Sequence, residues 1–465
     1  MSNQLDFFPR YFTAKAIALY FILLVVLFML FYNHSLPIFM VIIGVVEAAG
    51  FFYLSNLLTK RWSSISEKKF PKKLFALSLF IRVGWVIFSY IYYTIITGQP
   101  FEFDAGDTFF YNWNADRIHD GSIGIGYIRD QMGLDDCGYI YYLALIKTII
   151  PGDIIITRLL KALLSAYTCI LVYRIGQRNF GDKTARIAGI FCMLMPYLVY
   201  YCGLHAKETE MVFLVVLFID RADFMFRSEK FNLATVGIPL LLAGVLFTFR
   251  TVLGMTALFS LLTVLLFPTR NPIKAWKRIF AGFWVVLIIT YFISGRIASE
   301  ITEVWQKKDE NQSLSIQNKA RINKFSDYAS AAVFAPGILV IPLPTMVHVE
   351  GQENIEIING GYYVKNILAF FIMLAFLRIL KEKRIRDFTL LGSFTIGYLI
   401  IIAFSAFAQS GRFQMPVLPF LMLFGAFGVS KIKKSTTKYY FIYLIIIFVV
   451  IIAWNWFKLA GRDLI

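Results

Sequence analysis

Apolar runs about as long as a bilayer is thick recur from one end of this chain to the other. They fall at 14–32, 37–58, 74–97, 154–176, 184–203, 208–226, 232–248, 251–267, 277–295, 362–380, 388–408, 413–430 and 438–458. A helix rises 1.5 Å per residue, so each run is near the ~20 residues that cross ~30 Å of hydrocarbon. Inside lipid every backbone polar group must be satisfied within the chain, which makes helices the expected element. Composition agrees. The 465 residues are 58% hydrophobic and only 16% charged, too little charge to cover a soluble domain of this size. The net charge of +17 would suggest nucleic acid in a soluble protein. Here the Lys and Arg lie between the apolar runs, as topology signals and headgroup contacts. No nucleic-acid-binding motif is present, so lipids and not nucleic acid are the expected surroundings.

One shorter run, 138–150, ends at Pro151-Gly152 and is interrupted by Lys147. It is too short to span and reads as an interfacial or re-entrant helix. Without it, thirteen spans from a cytoplasmic N-terminus put every strongly basic connection inside, as the positive-inside rule requires. These connections carry Lys60 to Lys73, Arg174 to Arg186, Arg221 to Lys230, Arg270 to Arg278, Arg378 to Arg386 and Lys431 to Lys438. The chain then divides into three N-terminal spans (1–97), an acidic extracytoplasmic loop with its interfacial helix (98–153), a central bundle (154–295), a second extracytoplasmic loop (296–361) and four C-terminal spans (362–465). The C-terminus is expected outside. The first apolar run has no small-residue cleavage site after it and is expected to stay as an anchor. Of the four cysteines, Cys169 and Cys192 fall in apolar runs. Cys137 and Cys202 fall outside, where spacing alone leaves a disulfide open.

That orientation, fixed by the inside charges, gathers the unusual outside residues. Asp104 and Asp107 sit three apart, with a glycine between them, where the chain leaves the third span. A carboxylate there can accept a proton from a hydroxyl or hold a metal ion, and Mg, Mn or Ca would all suit oxygen ligands. The plainer alternative is a solvated acidic loop with an N-capping aspartate starting a helix at Thr108. The turn 200–210 holds His205, Lys207, Glu208 and Glu210. Glu208 can contact substrate or metal and Lys207 a phosphate, or the two glutamates can simply favour a helix N-terminus. Arg412 opens a late span before Pro416 and Pro419, suited to bidentate grip of a phosphate or to snorkelling toward headgroups. Arg250 invites the same two readings. The apolar stretch 334–344 in the second loop is expected either as a lid over lipid or as a packed loop. Glu47 and Arg82 lie at similar depth on adjacent spans and are expected to pair.

Asp107-Thr-Phe-Phe-Tyr111-Asn-Trp-Asn-Ala115 resembles the Asp-x-x-x-Tyr-x-x-x-Ala signature in the first outer loop of GT-C fold glycosyltransferases. The likeness is to the protein-mannosyltransferase-like and aminoarabinose-transferase-like branch. Gly138-Tyr-Ile-Tyr-Tyr-Leu, the stretch Leu171 to Gly189, Met195-Pro and Glu208 follow in that family's order. Arg412-Phe-Gln-Met-Pro-Val-Leu-Pro resembles the start of a late span in such enzymes. The likeness covers 100–215 and 410–425. It departs in placing the acidic loop after the third span rather than the first.

The resemblance implies a GT-C-like helical bundle that moves a sugar from a polyprenyl phosphate donor to an acceptor hydroxyl of a glycan, lipid or protein, usually with inversion. It implies a base role for Asp107, with Asp104 beside it, and a second acidic role for Glu208. Arg412 would face the donor phosphate; the residues themselves add Lys207 and Arg250 as phosphate candidates and Tyr111, His205 and Gln409 as substrate candidates. The chemistry is consistent with this. The lipid tail keeps the donor at the interface, the leaving phosphate calls for cations, and the acceptor hydroxyl calls for a carboxylate. Two rivals remain. An envelope polysaccharide polymerase or ligase would tolerate loss of Asp107. A flippase or transporter would be expected to show repeated halves and midplane charges.

Overall fold

The computed structural model describes residues 10–103, 105–132, 134–150, 154–228, 232–267, 282, 337–348, 357–404, 410–432 and 436–460. Among them every regular element is helical, and the single β-bridge joins Ser35 to Val347. The helices are α1 (Arg10–Leu30), α2 (Ile38–Arg61), α3 (Phe70–Thr97), α4 (Gly106–His119), α5 (Ile125–Met132), α6 (Cys137–Ile149), α7 (Ile154–Phe180), α8 (Asp182–Leu194), α9 (Pro196–Tyr200) and α10 (Glu208–Arg227). They continue with α11 (Leu233–Phe249), α12 (Thr251–Leu266), α13 (Asn359–Lys381), α14 (Thr389–Ala403), α15 (Gly411–Gln414), α16 (Leu418–Ser430) and α17 (Thr437–Ala460). Seven described helices are long and apolar enough to cross a membrane, and a bent pair, α8 with Pro196–Gly203, would make an eighth. The protein is an all-α membrane protein. The apolar run at 277–295 lies outside the described residues, as does most of the second long loop.

At the centre, α7 packs against α3, α8 and α10, and α16 lies between α8 and α13. Close approach depends on glycine at two crossings. A methyl on Gly176 would meet the Ala185 backbone at 2.9 Å, and one on Gly428 would meet the Phe371 carbonyl oxygen at 2.0 Å. Backbone cannot yield as a flexible side chain would. Gly428→Ala is therefore expected to part α13 from α16 and cost roughly 1–3 kcal/mol, read as a lower melting temperature in detergent.

The bend of 53° between α8 and α9 falls at Pro196. Proline has no N–H to give the Cys192 carbonyl four residues back. Arg82 supplies the missing donor: it bonds the Cys192 carbonyl at 3.1 Å, the Met193 carbonyl at 3.2 Å and Ser165 Oγ at 2.6 Å. This corrects the expected Glu47–Arg82 pair. Arg82 satisfies a broken helix, while Glu47 packs against Gly360, at the start of α13. All four cysteines are free, so Cys137 and Cys202 are not joined. Residues 341–347 of the second loop are buried. Asn366 donates to the Val340 and Pro342 carbonyls, and Asn455 accepts from Met346 N. The described part of 334–344 is thus a packed strap rather than a lid.

The bundle has two polar ends. At one, Arg178 grips Asp220 and Asp223 at 2.7 Å each, Arg227 reaches Asp223 at 2.9 Å, and Arg186 bonds Asp182 at 2.6 Å. At the other, Lys161 faces Glu210 at 3.5 Å. Lys161 and Arg178 lie on one helix, seventeen residues or ~26 Å apart, close to a hydrocarbon thickness. The second of these ends carries the candidate site.

Candidate functional site

Three segments far apart in sequence meet at Arg412. Its Nη1 donates to Asp107 Oδ2 at 2.7 Å, and its Nε donates to Glu208 Oε1. Each arrives at a helix start. The α4 helix begins at Gly106, with Asp107 in its first turn and no side-chain cap bond. This corrects the expectation of an aspartate cap before a helix at Thr108; Thr108 Oγ1 instead donates to Glu102 at 2.5 Å. Glu208 and Glu210 fall in the first turn of α10, where a helix dipole favours negative charge. Arg412 sits in the short α15, just before Pro416 breaks the helical ladder. The environments differ sharply: the Glu208 side chain is 0% exposed, Arg412 27% and Asp107 62%.

A second cation lies alongside. Lys207 forms an ion pair with Asp136 and also donates to the Phe249 carbonyl at 3.4 Å. Tyr111, from α4, donates to the other Asp136 oxygen at 2.9 Å. Asp136 holds a left-handed backbone, φ 68°, which is uncommon for a residue with a side chain and marks a constrained position. Its neighbour Asp135 accepts from Thr251 N and Oγ1 at 2.6 and 2.7 Å, which ties this turn to the start of α12. Arg250 sits at the α11–α12 junction, its guanidinium 4.3 Å from the Phe413 ring and its Nη1 buried without a partner. Three cations thus lie around Asp107 and Glu208. Such a group of guanidinium and ammonium donors suits a phosphate.

Burial, and next Arg250, push the Lys207 ammonium down to about 7. Burial, and next Asp107, raise the Tyr111 phenol, so it stays a donor to Asp136. For Lys207 the native value lies below the unfolded one. Its ammonium is therefore complete only below pH ~7, and its contribution to folding improves as pH rises from ~7 toward ~10. Any step that uses its positive charge is expected to weaken as pH rises above about 7. Lys207→Arg, which stays charged, is expected to remove that alkaline limb from a pH profile of phosphate-ligand binding.

His205 does not join this group. It is fully buried, its ring centroid 6.3 Å from Phe101 and 6.4 Å from Tyr139, and burial followed by Lys161 and Arg158 holds it neutral. Its expected substrate contact is corrected accordingly. Asp104 and Gln409 lie outside the described residues. Among the described residues no three His, Cys, Asp or Glu side chains converge as a cation site, and Asp107 already has Arg412 as its counter-ion. The expected Asp104–Asp107 pair falls partly outside the described residues, since Asp104 is its other half.

Sequence reasoning missed Asp136, one acid among the nine that the first loop carries. No local pattern separated it from the others. It also missed Lys161, fully buried in α7, which donates to the Leu204 carbonyl at 2.8 Å and to the Ala206 carbonyl, and so holds the 204–207 turn from beneath. No protein-family model matches the chain, and no curated protein is significantly similar to it.

Proposed function

We propose that the protein is an integral membrane glycosyltransferase of the GT-C type. In this reading it transfers a sugar from a polyprenyl phosphate donor to an acceptor hydroxyl on the extracytoplasmic face. One observation carries the reading: Asp107, Glu208 and Arg412, from segments up to 305 residues apart, meet in one cluster with Lys207 beside it. Acid and cation stand side by side at one end of a lipid-embedded bundle, where a carrier anchored by its tail would present its head.

The proposed reaction needs both charges. The acceptor oxygen forms a bond to the anomeric carbon and gives its proton to Asp107. The bond from that carbon to the phosphate oxygen breaks, and its electron pair leaves with the polyprenyl phosphate. Arg412, Lys207 and Arg250 stabilise that growing negative charge. Buried Glu208 holds Arg412 in place. Attack from the face opposite the phosphate inverts the anomeric centre.

The thirteen-span arrangement belongs to the same proposal, with the N-terminus cytoplasmic and the site and C-terminus outside. Its support is that described helices match twelve of the thirteen apolar runs, and that the expected inside cations Arg178, Arg186 and Arg227 lie at the end of the bundle away from the site. The assay is direct. Purified protein in lipid nanodiscs receives a panel of labelled polyprenyl phosphate sugars and an envelope-glycan extract. The reading expects labelled acceptor and free polyprenyl monophosphate in equal amounts. Donor translocation across vesicles without cleavage would favour a flippase and contradict it.

A further inference from the structure

Arg412 uses two faces, and they are unequal. Its Nε is bound to a carboxylate with no exposure, while its Nη1 is bound 2.7 Å from a carboxylate that is 62% exposed. Glu208 cannot lose its counter-ion without leaving a bare charge in the protein interior, which is costly. Asp107 can, because water solvates it and exposed ion pairs contribute little. Building on the proposed glycosyl transfer, we infer that the donor phosphate displaces Asp107 from Arg412 and leaves the Glu208–Arg412 pair intact, so that donor binding is what frees the general base.

Several observations lead to the same assignment. Arg412 Nη1 is the guanidinium end that a ligand can reach, since Arg412 retains 27% exposure while Glu208 has none. Arg250 Nη1 is a buried donor without a partner beside Phe413, the next residue to Arg412. An unsatisfied buried donor marks a place for an acceptor. Lys207 already has Asp136, so the cluster can take a phosphate without Asp107 as a counter-ion. In the resting protein the Asp107 carboxylate is occupied as an acceptor by the Arg412 guanidinium. A phosphate on Arg412 takes that partner away and leaves the carboxylate free to meet an acceptor hydroxyl. An acceptor hydroxyl arriving first would meet a carboxylate that is still engaged. Binding is therefore ordered, donor before acceptor, and Glu208 is a positioning residue and not the base.

The test is a binding measurement with polyprenyl monophosphate on the full chain in nanodiscs, comparing wild type with Asp107→Asn, Asp107→Ser and Glu208→Gln. Removing the competing carboxylate is expected to tighten binding in both Asp107 variants, by roughly 3–10-fold for a competing exposed ion pair. Glu208→Gln is expected to weaken it. The melting temperatures of the Asp107 variants should equal that of wild type. Unchanged or weaker binding in both Asp107 variants, with wild type still binding, would overturn the displacement and leave the proposed transfer standing. Failure of wild type and all variants to bind would remove both.

Discussion

Asp107→Asn is expected to lower sugar transfer by roughly 10²–10⁴-fold, the range a positioned general base contributes, while leaving the protein as stable as before. The two halves of that expectation have separate causes. The amide keeps the size of the carboxylate but cannot take a proton from an acceptor hydroxyl. Stability holds because the side chain is mostly in water and its contact with Arg412 is an exposed ion pair of small worth. Near-normal transfer by this variant would remove the base. A polysaccharide polymerase that does not use Asp107 would give that result.

Arg412→Ala should behave differently, losing stability together with activity. It leaves Glu208, which has no exposure, as an uncompensated charge inside the protein. Removing one partner of a buried pair costs roughly 3–5 kcal/mol. The partly exposed guanidinium places this case toward the lower end. Arg412→Ala with Glu208→Gln is expected to recover much of the melting temperature, because the stranded charge is gone, yet to recover no transfer. Thermal unfolding of the two single variants and the double variant reads this coupling directly. If Arg412→Ala melts like wild type, Glu208 is solvated or protonated and the account of a fixed inner pair fails.

The helices were legible because lipid thickness sets the length of an apolar run and charge sets its ends. Each of the runs that falls among the described residues has its helix, though the run 184–203, read as a single span, is broken at Pro196 between α8 and α9. The members of the site were also legible singly. Asp107, Lys207, Glu208 and Arg412 each stand out as ionisable groups at the edge of an apolar run. Which of them touch was not, since Asp107 and Arg412 are 305 residues apart and no local pattern encodes that pairing.

Two expectations failed for related reasons. Arg82 was matched with Glu47 as charge seeks charge, but backbone carbonyls freed by a proline satisfy a guanidinium as well. His205 was placed on substrate because it neighbours Lys207 and Glu208. The turn instead directs it inward, over the Lys161 that anchors the adjacent carbonyls. Asp136 went unseen for the opposite reason. Its distinguishing marks are a left-handed backbone and a lysine 71 residues away, and both exist only once the chain is folded.

The most direct test of the site is an experimental structure of the full chain in nanodiscs with polyprenyl monophosphate bound. The phosphate should lie within hydrogen-bond distance, about 3 Å, of Arg412 Nη1 and near Lys207, with Asp107 turned away and Glu208 still on Arg412. Phosphate density bound elsewhere in the protein, with Asp107 still on Arg412, would contradict it.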